Sequence, residues 1–139
     1  MKIRLFITIP LLLISILVKG QEANKECFAE INSNDLKLMM ETKDVLIIDV
    51  RLNKEYRKER IENAFLASSG EALRDLLATA DKNQIIILYC KEGSRSRVAA
   101  EIACNDLKFK KVFNLEGGIS DWKKKGYYVD KDHVKSSIN

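Results

Sequence analysis

The sequence predicts an α/β domain in which a parallel sheet is covered by helices on both faces. Three observations lead there. Val45-Leu46-Ile47-Ile48 and Ile85-Ile86-Ile87-Leu88 are unbroken, largely β-branched apolar runs, the pattern of strands buried on both sides. Segments of helical character separate such runs at the spacing of βα units. The chain has 139 residues, is 46% hydrophobic and holds six Gly and one Pro. That composition suits one domain and excludes collagen-like, low-complexity and broadly disordered classes.

Each element has a local reason. Ile31–Met40 reads as a short helix with Ser33 or Asn34 as its cap and Leu36, Met39 and Met40 on its apolar side. The strand Val45–Ile48 ends in Asp49. Asn53–Arg60 is dense in charge and reads as a solvated helix, and Ala64–Leu66 as a second short strand. Gly70–Ala80 places Leu73, Leu76 and Leu77 on one helical face, and Asp81-Lys82-Asn83 ends it. Gln84–Tyr89 holds the clearest central strand. Ser94–Leu107 is expected to be helical with Val98, Ile102 and Leu107 directed inward. Val112-Phe113 is a further strand and Ile119–Lys124 a further helix. There is no internal repeat and no linker that separates domains.

Charge is concentrated at one end. The formal net charge is +4, and the first twenty residues carry Lys2, Arg4 and Lys19 with no acid. The rest is nearly balanced, which disfavours nucleic-acid binding through bulk electrostatics. Met1–Arg4 is positive, and Leu5–Val18 is an apolar run broken only by Thr8, Pro10 and Ser15. As a helix that run spans about 21 Å, short of a hydrocarbon core of about 30 Å. Residues 1–20 are therefore expected to be a secretory signal peptide cleaved after Gly20. The mature protein would be periplasmic or secreted, without stable membrane insertion. An uncleaved N-terminal anchor is the alternative. Residues 21–30 then form an N-terminal extension, 31–129 the domain and 130–139 a polar tail.

The chemically informative segment lies where the best strand gives way to a helix: Tyr89-Cys90-Lys91-Glu92-Gly93-Ser94-Arg95-Ser96. Ligands of open α/β sheets bind beyond the carboxyl ends of strands. A loop closing into a helix turns successive N–H groups inward, and the helix dipole adds to their field. Such a site stabilises a thiolate, a persulfide or an oxyanion. Gly93 lets the backbone fold back over the sulfur, and Arg95 offers planar donors to an incoming oxyanion. Cys90 is the candidate nucleophile. A buried structural cysteine is the competing reading, opposed by the Gly, Arg and hydroxyl residues that follow within six positions.

Cys90-Lys91-Glu92-Gly93-Ser94-Arg95-Ser96 resembles the active-site loop of rhodanese-like domains, Cys-x-x-Gly-x-Arg-Ser. Ile48-Asp49-Val50-Arg51 with Glu55-Tyr56 resembles that family's Asp-Val-Arg segment. Leu115-Glu116-Gly117-Gly118 with Trp122 resembles its closing Leu-x-Gly-Gly-x-x-x-Trp motif. The resemblance runs from about Ile31 to Val129. It implies a five-stranded parallel sheet flanked by helices, and sulfurtransferase chemistry without a cofactor. Cys90 would take a sulfane sulfur from a donor such as thiosulfate, become a persulfide and pass the sulfur to cyanide or a thiol, or to a protein acceptor. Lys91, Glu92, Gly93, Ser94, Arg95 and Ser96 would form the substrate-binding loop, with Asp49 and Arg51 as a supporting polar shell. A non-enzymatic sulfur-carrier or protein-binding module is the alternative. One departure stands out: Glu59-Arg60-Ile61-Glu62-Asn63-Ala64 replaces the family's Gly-His-Ile-x-Gly-Ala, so its histidine is missing.

Phosphatases that share this fold use Cys-x5-Arg, a ring wide enough for a tetrahedral dianion. Cys90 to Arg95 is Cys-x4-Arg, which favours a single sulfur atom, and Arg97 should turn away on the helix. Cys104 is expected to pack in the core and Cys27 to be loose near the N-terminus. A Cys27–Cys104 disulfide that leaves Cys90 free is the alternative. His133 stands alone in a polar tail, and with no Cys-x-x-Cys pair no metal site is expected. The lysines around 108–111 and 123–125 read as a solvated face.

Overall fold

The computed structural model describes residues 26–132. The expected signal peptide (residues 1–20) and His133 lie outside the described residues. Five parallel strands form the main sheet in the order β1-β6-β5-β2-β4. They are β1 (Ala29–Ile31), β2 (Val45–Asp49), β4 (Phe65–Leu66), β5 (Ile85–Tyr89) and β6 (Lys111–Leu115). A separate antiparallel pair joins β3 (Arg60–Ile61) to β7 (Val129–Asp130). The helices are α1 (Ser33–Thr42), α2 (Asn53–Lys58), α3 (Gly70–Leu77), α4 (Ser94–Glu101) and α5 (Gly118–Lys124).

The apolar runs became the middle of the sheet. Ile48, Ile86, Ile87 and Leu88 are wholly buried, and alternate residues feed two cores. Ile48, Ile86 and Leu88 pack with Leu73 and Leu77 of α3 and the alanines of α4. Ile47, Ile87 and Tyr89 pack on the opposite face with Leu36, Ile119 and Trp122. Helices thus cover both faces, as the sequence predicted.

Local differences have physical causes. The cap of α1 is Asn32, one residue earlier than expected. Its Oδ1 accepts from the N–H groups of Asn34 at 2.8 Å and Asp35 at 3.0 Å, and Asp35 accepts from Asn32 N–H at 3.3 Å. Ser33 is left to donate its hydroxyl to Asp121 at 2.6 Å. Val98 is corrected from inward to outward, being 59% exposed. The buried stripe of α4 is Ser96, Ala99 and Ala100, and Ala103 continues it in the turn that follows. Small residues let the helix sit close on the sheet, whereas large apolar residues had guided the expectation. Beyond Glu101 the expected helix widens into a π-helical turn, Ile102–Asp106, where Leu107 N–H donates to Ile102 O at 3.0 Å.

Two expectations at the ends of the domain change. Ala29–Ile31 is the edge strand of the sheet, paired in parallel with Phe113–Leu115. Cys27 is not loose and Cys104 is not merely a packing residue: the two are joined in a disulfide that closes 77 residues of chain. The same segment is tied to α4 by Arg97, which pairs with Glu26 and Glu30 at 2.5 Å each and lies 5.5 Å from the Phe28 ring centre. Arg97 therefore does turn away from the cysteine loop.

Candidate active site

Cys90 follows β5 directly, and Cys90–Gly93 bridges to the first residue of α4 at the carboxyl edge of the sheet. The loop is clamped from below by the turn into α5. Ile119 N–H donates to Cys90 O at 3.0 Å and Ser120 N–H to Lys91 O at 3.1 Å. In a trans peptide the N–H opposes the carbonyl. Drawing the Cys90 and Lys91 carbonyls toward α5 therefore turns the following amides the other way, over the sulfur.

Two glycines make this packing possible. Gly93 has φ 94° and Gly118 φ 57°, both left-handed. A Cβ on Gly93 would strike the carbonyl oxygen of Glu116, and one on Gly118 would lie 2.5 Å from Cys90 O. Gly93 N–H donates to Cys90 Sγ at 3.1 Å. Ser96 Oγ lies 3.5 Å from Sγ and 3.1 Å from Gly93 O, so its single proton serves one or the other.

Cys90 is 1% exposed. Burial works against its ionisation, yet the Ser96 hydroxyl and the amides of Ser96, Glu92 and Gly93 outweigh it and hold the thiol below its ordinary pKa. Hydrogen-bond donors favour the ionised form, and among the described residues no cationic side chain is bonded to the sulfur. The side chains of Lys91, Glu92 and Ser94 are exposed and stay outside the cradle. Arg95 is also outside the cradle: its guanidinium is half-exposed and pairs with Glu55 at 3.5 Å. Burial works against the Glu55 carboxylate, but the Leu52 amide and Arg95 hold its pKa below the usual range.

Asp49 and Arg51 form the polar cluster that ends the neighbouring strand. Asp49 accepts from Arg51 Nη2 at 2.6 Å, Arg51 Nε at 2.9 Å and the Tyr89 hydroxyl at 2.7 Å. Arg51 also donates to Glu59 O at 2.7 Å, and Tyr89 accepts from Ile61 N–H at 3.0 Å. Burial opposes the Arg51 charge, but Asp49 outweighs it and raises the pKa. These groups fix the relative height of β2, β5 and β3 and do not touch the sulfur.

Sequence reasoning missed the role of Asn114. It lies 1% exposed in β6 and donates Nδ2 to Gly93 O at 3.1 Å and to Glu30 at 2.8 Å. The signal was present: an amide side chain within an otherwise apolar strand needs internal partners.

Two clefts flank the loop. One, of about 210 Å³, is lined by charged groups, among them Arg51, Glu55, Lys58, Lys91 and Lys123. Lys123 is paired with Glu59 there. The other, of about 230 Å³, has apolar walls from Val50, Leu73, Val98 and Ile102, with Arg95 at its rim.

Comparison with known proteins agrees with this architecture. A family model, the Rhodanese-like domain, matches residues 32–125. The thiosulfate sulfurtransferase GlpE of Shewanella oneidensis is 32% identical over 95 residues, covering 68% of this chain and 92% of that protein. A rhodanese-like domain protein of Staphylococcus aureus superposes with a TM-score of 0.61 at 28% identity, covering 75% of this chain and 98% of that one. The rhodanese-like domain of the Anabaena Alr3790 protein gives a TM-score of 0.67 at 22% identity, covering 79% and 85% of the two chains, a likeness of fold. The matched residues hold the cysteine loop, the paired glycines and four of the five parallel strands, and this chain belongs to the rhodanese-like family.

Proposed function

We propose that the protein is an exported sulfurtransferase that carries sulfane sulfur on Cys90. The observation that supports this best is the amide-lined cradle, which lowers the thiol pKa with donors alone. The Cys90 thiolate attacks the outer sulfur of thiosulfate; the S–S bond of the donor breaks, and sulfite leaves with the electron pair. The product is a Cys90 persulfide whose terminal sulfur bears the negative charge. The amides of Glu92, Gly93 and Ser96 already face the sulfur, so little reorganisation is needed when the charge moves outward. Cyanide or a thiolate then attacks the terminal sulfur and releases Cys90 as the thiolate, closing a double displacement.

Lys58 and Lys91 line the charged cleft beside the loop and favour the approach of an anionic donor. Arg95 faces Glu55, so no guanidinium closes a ring around a phosphoryl group. The relative from Shewanella oneidensis, named a thiosulfate sulfurtransferase, supports this choice of donor. Export to the periplasm rests on residues 1–20 and on the Cys27–Cys104 disulfide, a pairing that persists in oxidising compartments.

Mass spectrometry after thiosulfate treatment tests the reading. One added sulfur atom on Cys90 is expected, removed by cyanide and absent in Cys90→Ala. A folded protein that gains no sulfur would instead be a binding module.

A further inference from the structure

We infer that the apolar cleft between α3 and α4 is an acceptor subsite for a small aliphatic thiol carrying one carboxylate. This rests on the sulfur-transfer reading above and names a substrate class for it. Position comes first. β2 pairs with β5 at Asp49 and Tyr89, and with β4 at Asp49 and Leu66. The pairing continues one residue further: Val50 N–H donates to Tyr89 O at 3.0 Å, and Ala67 N–H to Asp49 O at 2.9 Å. Ala67, Val50 and Cys90 thus fall in a row across the carboxyl edge, with neighbours about 4.8 Å apart. Ala67 and Val50 line the cleft, so it opens one strand away from the sulfur.

Chemistry follows from the lining. Val50, Leu73, Val98, Ala99 and Ile102 offer alkyl surface, and Val98 is exposed without a neighbour to cover it. Thiosulfate, cyanide and sulfite have no alkyl part to place there, whereas an organic thiol does. The volume of about 230 Å³ lies below the range of about 300–1,000 Å³ typical of drug-sized ligands, so the alkyl part is short. Among the described residues that line the cleft, Arg95 alone is charged. Its pairing with Glu55 at 3.5 Å is a part-exposed surface contact, which an incoming carboxylate can displace in favour of planar two-point bonding. Val50 is the lining residue beside Cys90 in that row, so a thiol with its sulfur at the Val50 end would lie nearest the persulfide. Its thiolate attacks the terminal persulfide sulfur, the S–S bond to Cys90 breaks and the alkyl persulfide leaves.

Two measurements on the full mature chain test the subsite. The first needs no catalysis. Butyrate, which has the alkyl group and carboxylate but no thiol, should shift the amide resonances of Gly70, Leu73 and Ala99, and butylamine should not. Equal responses to both, or shifts confined to other residues, overturn the inference. In the second, kcat/KM for 3-mercaptopropionate is compared with that for cyanide in wild type and Ser68→Glu, which adds a negative charge to an exposed position of the lining. The ratio should fall by about tenfold through like-charge repulsion; an unaltered ratio overturns the subsite. Wild-type protein that forms no persulfide would defeat the sulfur-transfer reading, and the butyrate titration would still decide on the cleft.

Discussion

Two buried acidic side chains end adjacent strands at the carboxyl edge of the sheet, and the fold treats them oppositely. Asp49, at the end of β2, is completely buried and receives an Arg51 guanidinium at 2.6 Å together with the Tyr89 hydroxyl. Cys90, just beyond β5, is equally buried but is met by Gly93 N–H and the Ser96 hydroxyl, with no cation bonded to it among the described residues. A carboxylate locked to a full counter-charge is neutralised and becomes a structural pin. In the proposed reaction, a thiolate held by neutral dipoles would keep its charge available to an incoming sulfur. The difference lies in what surrounds each anion, since burial is the same.

Four experiments break or sharpen that comparison. Replacing Cys90 by Ala should abolish sulfur transfer while leaving thermal stability close to wild type, because the thiolate is a reactive group and not a pin. Replacing Asp49 by Ala should do the converse. An unpaired buried Arg51 costs about 3–5 kcal/mol, read as a lower urea midpoint. In the fraction that stays folded, Cys90 alkylation should retain its low-pH profile. A variant that kept stability but lost Cys90 reactivity would erase the distinction between the two anions.

The disulfide offers a smaller test. Cys27→Ser with Cys104→Ser removes a cross-link spanning 77 residues and should lower stability by about 2–4 kcal/mol. Denaturant unfolding with and without reductant checks it, and the double variant should become insensitive to reductant. The smallest effect concerns Ser96. Iodoacetamide alkylation of wild type should reach half its maximal rate below the pH of an ordinary thiol, because the folded pKa is lowered. In Ser96→Ala the inflection should move up, slowing alkylation near pH 7 by about tenfold, the worth of one hydrogen bond to a charged acceptor. The sign for stability follows: a depressed folded pKa adds stability above the unfolded value, lost as pH falls through the folded value. Cys90→Ala should remove that slope.

The legible parts of the sequence were those where local chemistry and tertiary role coincide. Ile85–Leu88 is apolar whichever way it is read, so its burial in mid-sheet followed from composition. Cys90, Gly93 and Ser96 announced a loop whose backbone needs one left-handed residue, and Gly93 supplies it. Roles that depend on distant partners were harder to see. β1 and the β3–β7 pair are strands of two or three residues, defined by what lies beside them. Val98 looked inward-facing by hydrophobicity, while the alanines of α4 carried the packing because only small side chains allow the close approach.

The sequence by itself determined the layering of helix and strand, the position of the cysteine loop and the glycines that let it close, since each is written in residue types a few positions apart. The tertiary structure alone decided that Arg95 faces Glu55 and the apolar cleft, that Asn114 holds Gly93 and that Cys27 meets Cys104. These contacts join residues about 20–80 positions apart. No local propensity encodes them, and they come into being when the parallel crossovers bring the carboxyl ends of the strands together.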